Sequence, residues 1–275
     1  MAVKFYTEGH RYESIDLFNP IDWVSNTKLI GMFRKPFDAE KMALKVSQKK
    51  GGKWYGLSPQ KILEIWKNEN DRSTKLGTWY HNKKELALIN KSTIEYKGKE
   101  LPIIPSIIED GVKYAPDQKL KDGVYPEHLC FLLSTGTCGQ MDRVNVCDGY
   151  VDIEDYKSNK DLKKPAYVNW VGIVEKMQPP LMHLEATKLN EYAIQLSLGM
   201  HMVLRHNPQL KPGKLTIPYV TFEIEAEDEW GYPIMKLDQN NEPILKSEEI
   251  TELPYLRREV EIMFEYLKQK RAKHV

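Results

Sequence analysis

Apolar and polar side chains alternate in two runs, 140–147 and 150–157, on either side of Asp148-Gly149. Alternation is the period of a strand with one buried face, and Asp-Gly favours a two-residue type I′ turn, so the stretch predicts a β-hairpin. That turn sets the register. Val146 faces Val151, Val144 faces Ile153 and Asp142 faces Asp155, with Lys157 on the same side two residues later. Val144, Val146, Val151 and Ile153 make this side apolar, while Arg143, Asn145, Asp152 and Glu154 give the other side the pattern of a solvated surface.

Away from the hairpin the pattern alternates between helical and strand periods. Lys4–Glu13 reads as a strand and Asn19-Pro20 as a break. Ser25 to Thr27 can cap a short helix over 28–33, which Lys35-Pro36 interrupts before another helix over 38–49. Gly51-Gly52 ends that element. Ser58-Pro59 opens the next helix, with Ile62, Ile65 and Trp66 as its apolar stripe, and a separate helix spans about 73–90. Gly77 inside the latter costs about 1 kcal/mol relative to alanine, a cost that a close approach to another element or a ligand would explain. Residues 91–126 are the least regular and read as an excursion within one domain, with Ile103–Ile108 packing over the core. A strongly apolar strand over 127–133 returns to the hairpin through a turn at Gly136–Gly139. Beyond the hairpin, 185–206 is an amphipathic helix with Leu189, Tyr192, Ala193, Leu196, Met200 and Val203 in its stripe. Strand-like segments at 213–224 and 232–238 and a helix from Pro254 to about 270 complete the chain. The expected fold is α/β: a central mixed β-sheet containing the 127–157 meander, flanked by the 73–90 and 185–206 helices. All of 1–275 is expected to form one domain, with a helical N-terminal part at about 20–90 and a core at about 127–225.

Composition narrows the class only a little. A chain of 275 residues can bury a sizeable core, and no run approaches the length of a membrane span or a signal peptide's apolar stretch. Cys130, Cys138 and Cys147 have neither paired nor zinc-like spacing, which predicts reduced thiols in a cytoplasmic protein. The net charge of +1 means that a polyanion would have to be met by a local basic patch. The densest early one is Lys41, Lys45, Lys49, Lys50 and Lys53, read either as a solvated helix face or as phosphate contacts.

The candidate chemistry lies at the open end of the hairpin. Opposed carboxylates have Cβ atoms roughly 4.5–5.5 Å apart and repel, so Asp142 and Asp155 require positive charge when partly buried. Lys157 supplies one; a divalent cation such as Mg2+ would supply the rest and keep waters for a phosphate to displace. The plain alternative is a hairpin with an Asp–Lys salt bridge. His81, one helical turn beyond Gly77, is either a hydrogen-bonded histidine or a ligand. Glu127 is a third acid or a surface residue, and Gln195 either ties strands together or holds a nucleotide or the site water. Ser158, Asn159 and Lys160 follow Lys157 and could hold neighbouring phosphates, while Trp79, Tyr80, Tyr156 and Trp170 offer stacking surfaces for unpaired bases.

Four segments in this order, Lys75-Leu-Gly-Thr-Trp-Tyr-His81, Gly139-Gln-Met-Asp142, Asp155-Tyr-Lys157 and Tyr192-Ala-Ile-Gln195, resemble the PD-(D/E)XK nuclease superfamily. The likeness is greatest to its RecB-like exonuclease branch, which includes phage exonucleases, the CRISPR-associated exonuclease and the mitochondrial genome-maintenance exonuclease. Ser25–Ile30 followed by Lys35-Pro-Phe-Asp38 is similar to the opening of phage and mitochondrial members, so the resemblance spans about 15–206. It implies a restriction-endonuclease-like core and a metal-dependent DNA exonuclease using one or two Mg2+ or Mn2+ ions. Asp142, Asp155 and His81 would bind metal with the backbone carbonyl of Tyr156, and Glu127 matches an upstream acid of some members. Lys157 would position or activate the attacking water, with its pKa pushed down, and Gln195 would help arrange the site. The chain departs from the pattern at Gly199, where the family usually has tyrosine.

The expected function is therefore hydrolysis of DNA phosphodiester bonds in phage or bacterial recombination, repair or replication. A structure-specific flap endonuclease on the same site is the enzyme alternative. A non-catalytic nucleic-acid-binding scaffold that retains the fold is the alternative of another class.

Overall fold

Residues 3–9, 11–159 and 162–273 are described by a computed structural model. In chain order its elements begin with β1 (Val3–Tyr6), β2 (Arg11–Ser14), β3 (Val24–Ser25), α1 (Asn26–Gly31), α2 (Ala39–Ser47) and α3 (Pro59–Ile89). Four short strands follow: β4 (Thr93–Tyr96), β5 (Lys99–Pro102), β6 (Ile107–Glu109) and β7 (Val112–Tyr114). The long strands β8 (Gly123–Leu132) and β9 (Thr137–Cys147) lead into β10 (Tyr150–Glu154) and α4 (Lys188–His206). The remainder is β11 (Lys211–Phe222), β12 (Ile224–Glu227), β13 (Pro233–Met235), β14 (Leu245–Leu253) and α5 (Arg257–Ala272). No helix among the described residues is long and apolar enough to cross a membrane.

The α/β architecture with a mixed sheet is as expected. The main sheet runs β14-β11-β10-β9, with β8 and β3 also on β9. β10–β11 and β3–β9 are parallel; β8–β9, β9–β10 and β11–β14 are antiparallel. The hairpin register is the one the Asp-Gly turn demands, with Val151 on Val146 and Ile153 on Val144. β8 occupies one edge of β9 over residues 137–146. The other edge is shared: β3 covers Thr137 and Cys138, and β10 covers Arg143 to Cys147. Residues 139–142 are left with no strand on that edge, and this gap is where the candidate site lies.

Several boundaries differ from the pattern-based reading. Ser58 caps and Pro59 starts α3 as expected, but the helix runs unbroken to Ile89, because nothing between the two predicted helices stops it. Lys4–Glu13 is a hairpin and not one strand. The excursion at 91–126 forms two hairpins, of which β6–β7 joins β1–β2 in a second sheet of order β2-β1-β7-β6. That sheet packs Val3, Phe5 and Ala115 against Leu129, Phe131 and Cys138. The core also extends past residue 225, since β14 pairs along β11 and α5 buries Val260, Met263, Phe264 and Leu267.

The second face of the hairpin is covered and not solvated. Asn145 and Asp152 are buried beneath the β4–β5 hairpin, whose Tyr96 hydroxyl donates to Asp152 at 2.8 Å. The Lys214 backbone N–H donates to the same carboxylate at 2.6 Å, and Lys97 pairs with it. Buried carboxylates are tolerated when their acceptors are filled in this way. Asp152→Ala strands these donors and is expected to lower stability by about 3 kcal/mol. Urea denaturation checks this, and a midpoint equal to that of the wild type would contradict it.

Candidate active site

Each acid is placed by a strand. The register on either side of Glu127, Pro126–Arg143 and His128–Met141, puts it opposite Asp142 in the β8–β9 ladder. The Glu154–Arg143 pair that ends the β9–β10 ladder puts Asp155 opposite Asp142 on the other edge. Three carboxylates therefore stand in a row across three strands beside the gap. All three are buried. Just past Asp155 the chain leaves β9 and follows β11 instead: Asp155 N–H donates to Thr216 O and Lys157 N–H to Pro218 O. The Tyr156 N–H donates to Asp142 Oδ2 at 2.7 Å, fixing that carboxylate.

Glu127 is held at φ 50°, a left-handed conformation rare outside glycine. Its consequence is visible in the core. Before it Tyr125 faces the main core, and after it Cys130 and Leu132 do, so the inward set switches from odd to even. The partner strand switches too, since Met141 and Val144 both join that core. Asp142 thus sits at a break in the alternation, not on a continuous apolar face.

The helix α3 supplies the imidazole. His81 Nε2 donates to Tyr156 O at 2.8 Å, and Nδ1 lies 3.3 Å from Asp142 Oδ2. Burial of the imidazole lowers its pKa, but the charge and hydrogen bond of Asp142 outweigh burial and push it up to about 9. Lys157 pairs with Asp155, and Gln195 on α4 donates to Asp155 Oδ1 at 3.4 Å. Burial pushes the Lys157 amine down, but the charges of Asp155 and Asp142 exceed that effect and its pKa is raised. The lowering expected of Lys157 applies beside a bound cation; among the protein's own groups the two carboxylates set its protonation. Burial raises Asp155 despite Lys157. Asp142 is lowered, because His81 and Lys157 overcome its burial. Glu127 is raised by burial and by Asp142, although Lys113 lies 3.6 Å away and Gln140 donates to it.

These groups share one cavity of about 700 Å3, which brings together Glu127, His81, Asp142, Asp155, Lys157 and Gln195. Ligand atoms of His81, Glu127 and Asp142 lie within 4.8 Å of one another. The donor set, carboxylate oxygens with one imidazole and the Tyr156 carbonyl nearby, fits a hard divalent cation. The buried Asn26 amide and Gln140 Oε1, both in the cavity wall, have no hydrogen-bond partner among the described residues, as expected where a bound group completes them. Asp155 lies outside the tightest group because Lys157 and Gln195 engage its carboxylate.

Other candidates lie elsewhere. Ser158 and Asn159 line a neighbouring cavity, and Lys160 lies outside the described residues. Lys41 and Lys45 sit on α2, which packs on α3, and neither lines the site cavity. Asn26, Asn82, Glu85 and Lys113 line the site without having been singled out as candidates. Asn82 and Glu85 were within reach, since they share the helix face of His81. Lys113 was not, because only tertiary pairing of β7 with β1 carries it there. Gly199 faces inward: a Cβ there would strike the Met141 side chain, which would have to shift.

Gly77 lines the cavity, and a Cβ added to it would meet only Ser158 Oγ at 3.6 Å, an ordinary contact. Folding alone does not require glycine here. Gly77→Ala is expected to raise stability by about 1 kcal/mol, read by urea or thermal denaturation. A loss of stability would show that the helix and Ser158 are packed more closely than described.

Comparison with protein-family models, curated proteins and solved structures returned no match.

Proposed function

We propose that this chain is a divalent-metal-dependent deoxyribonuclease of the PD-(D/E)XK type, acting on DNA ends. The observation that carries the reading is the row of buried acids, Glu127, Asp142 and Asp155, joined by His81 and Lys157 in one open cavity. A binding scaffold has no need of three carboxylates, which repel a polyanion and cost desolvation free energy. The restriction-endonuclease-like arrangement of the core belongs to this proposal, as do Mg2+ or Mn2+ as the ions and DNA as the partner.

In this reading Asp142, Asp155 and His81, with Glu127 and the Tyr156 carbonyl, would hold the cation. When bound, it supplies Lewis acidity toward the phosphate and lowers the pKa of water. Release of Tyr156 O and Asp142 from His81 frees those oxygens for it. Lys157, kept as an ammonium by Asp155 and Asp142, donates to the attacking water or to a phosphate oxygen and steadies the charge that builds on phosphorus. Gln195 holds Asp155 and so fixes the direction in which Lys157 is presented. The water gives up a proton to solvent as its oxygen bonds to phosphorus, the bond from phosphorus to the 3′ oxygen breaks, and a proton from solvent returns to that oxygen.

Asp142→Asn and Lys157→Ala are expected to slow Mg2+-dependent digestion of end-labelled linear DNA by roughly 10^2–10^4-fold while leaving the folded state intact by circular dichroism. Wild-type rates in both variants would rule out this site. A covalently closed single-stranded circle is expected to resist the wild-type protein; its cleavage would turn the reading toward a flap or other endonuclease.

A further inference from the structure

We infer that the apolar cavity on the other flank of α3 seats an unpaired nucleobase of the strand being cut. This rests on the nuclease reading and adds to it a substrate class, DNA that is single-stranded beside the scissile phosphate.

The cavity is about 600 Å3, within the range that small-molecule sites occupy. Leu76 and Trp79 on α3 form one wall; Ile234 and Met235 on β13 with Leu237 form the other. Trp79 packs edge-to-face on Phe222, with ring centroids 6.1 Å apart, and Lys83 Nζ lies 4.7 Å from its ring centroid. Leu76, Trp79 and Met235 all pack on the buried cluster of Tyr80, Tyr156, Val220 and Phe222. This is an apolar slot with an aromatic wall, the kind of surface on which bases stack irrespective of sequence.

The slot adjoins the candidate active site. Ser158 and Asn159, which directly follow Lys157, line it. Gly77 lines the active-site cavity, and the 3.6 Å separation between its Cβ position and Ser158 Oγ marks where the two cavities meet. A strand whose phosphate reaches Lys157 can place the neighbouring base across this contact. The rim suits such a strand as well. Lys75 has no hydrogen bond or ion pair among the described residues and stands at the mouth; Arg72 and Lys188 beside it are each paired with acids, Arg72 with Glu69 and Asp228 and Lys188 with Glu191. Glu69, the acid at the rim, is engaged by Arg72. Asn159 accepts from the Tyr192 hydroxyl at 3.1 Å, which leaves its amide nitrogen to donate to a base edge or a phosphate. A base in a duplex cannot enter, because its faces are covered by its neighbours and its edge by its partner.

The test is binding in EDTA, where no cleavage occurs, with the full chain and two fluorescein-labelled probes of equal length: d(T)8 and an abasic octamer with the same backbone. The wild-type protein is expected to bind d(T)8 at least about fivefold more tightly than the abasic probe. Ile234→Asp and Leu237→Glu, at half-exposed positions that leave the core intact, are expected to bring d(T)8 down to the abasic affinity. Equal affinity of the wild type for both probes overturns the proposal, as does a preference that survives in both folded variants. The outcome is separable from the nuclease reading. Base-dependent binding without any Mg2+-dependent digestion removes the enzyme and keeps the slot; digestion without base-dependent binding does the reverse.

Discussion

Charge burial between neighbouring strands governs this molecule. Glu127 on β8, Asp142 on β9 and Asp155 just past the end of β10 stand side by side, each largely removed from water. Like charges so close cannot all remain ionised without compensation. The protein provides it from three directions: His81 from α3, Lys157 from the strand end that peels onto β11, and Lys113 from the second sheet. Remove any of these and a buried carboxylate loses its nearest positive charge and keeps only neutral donors, a larger penalty than loss of a surface ion pair.

The backbone arrangement follows from the need to keep this cluster open on one side. β3 and β10 share an edge of β9 but stop short of each other, so residues 139–142 face a cavity and not another strand. The left-handed Glu127 resets the alternation of β8, so that apolar side chains on both sides of it still reach the core. On the far side of the sheet, Gly199 lets α4 lie close over Met141, which seats Gln195 against Asp155. The 31-residue α3 crosses the opening, offering His81 to one cavity and Trp79 to the other.

How much of this was legible in the sequence depends on how local the cause is. The hairpin register was, because the Asp148-Gly149 turn and the Val144, Val146, Val151, Ile153 alternation specify it without reference to anything distant. The same arithmetic placed Asp142 against Asp155. The caps Ser25 and Ser58 were equally local. Tertiary cover was not: Asp152 and Asn145 have a solvent-like pattern, yet the β4–β5 hairpin buries them. The strands at 91–126 are short and charged, and only their pairing with β1 makes a sheet of them. The protonation of Lys157 likewise depends on which charges surround it in space. Helical lysines such as Lys41 and Lys45 have the same sequence signature whether they touch a ligand or water.

The central claim is that this cluster is a cation site, and its most direct test is structural. Crystals of the wild-type protein grown with millimolar Mn2+ should give an anomalous difference peak in the cavity, with carboxylate oxygens of Asp142 and a neighbouring acid at about 2.1 Å. The His81 ring should turn from the Tyr156 carbonyl toward that peak, and Asp142→Asn crystals should lack it. Manganese peaks only on the outer surface, with His81 still bonded to Tyr156 O, would contradict the account.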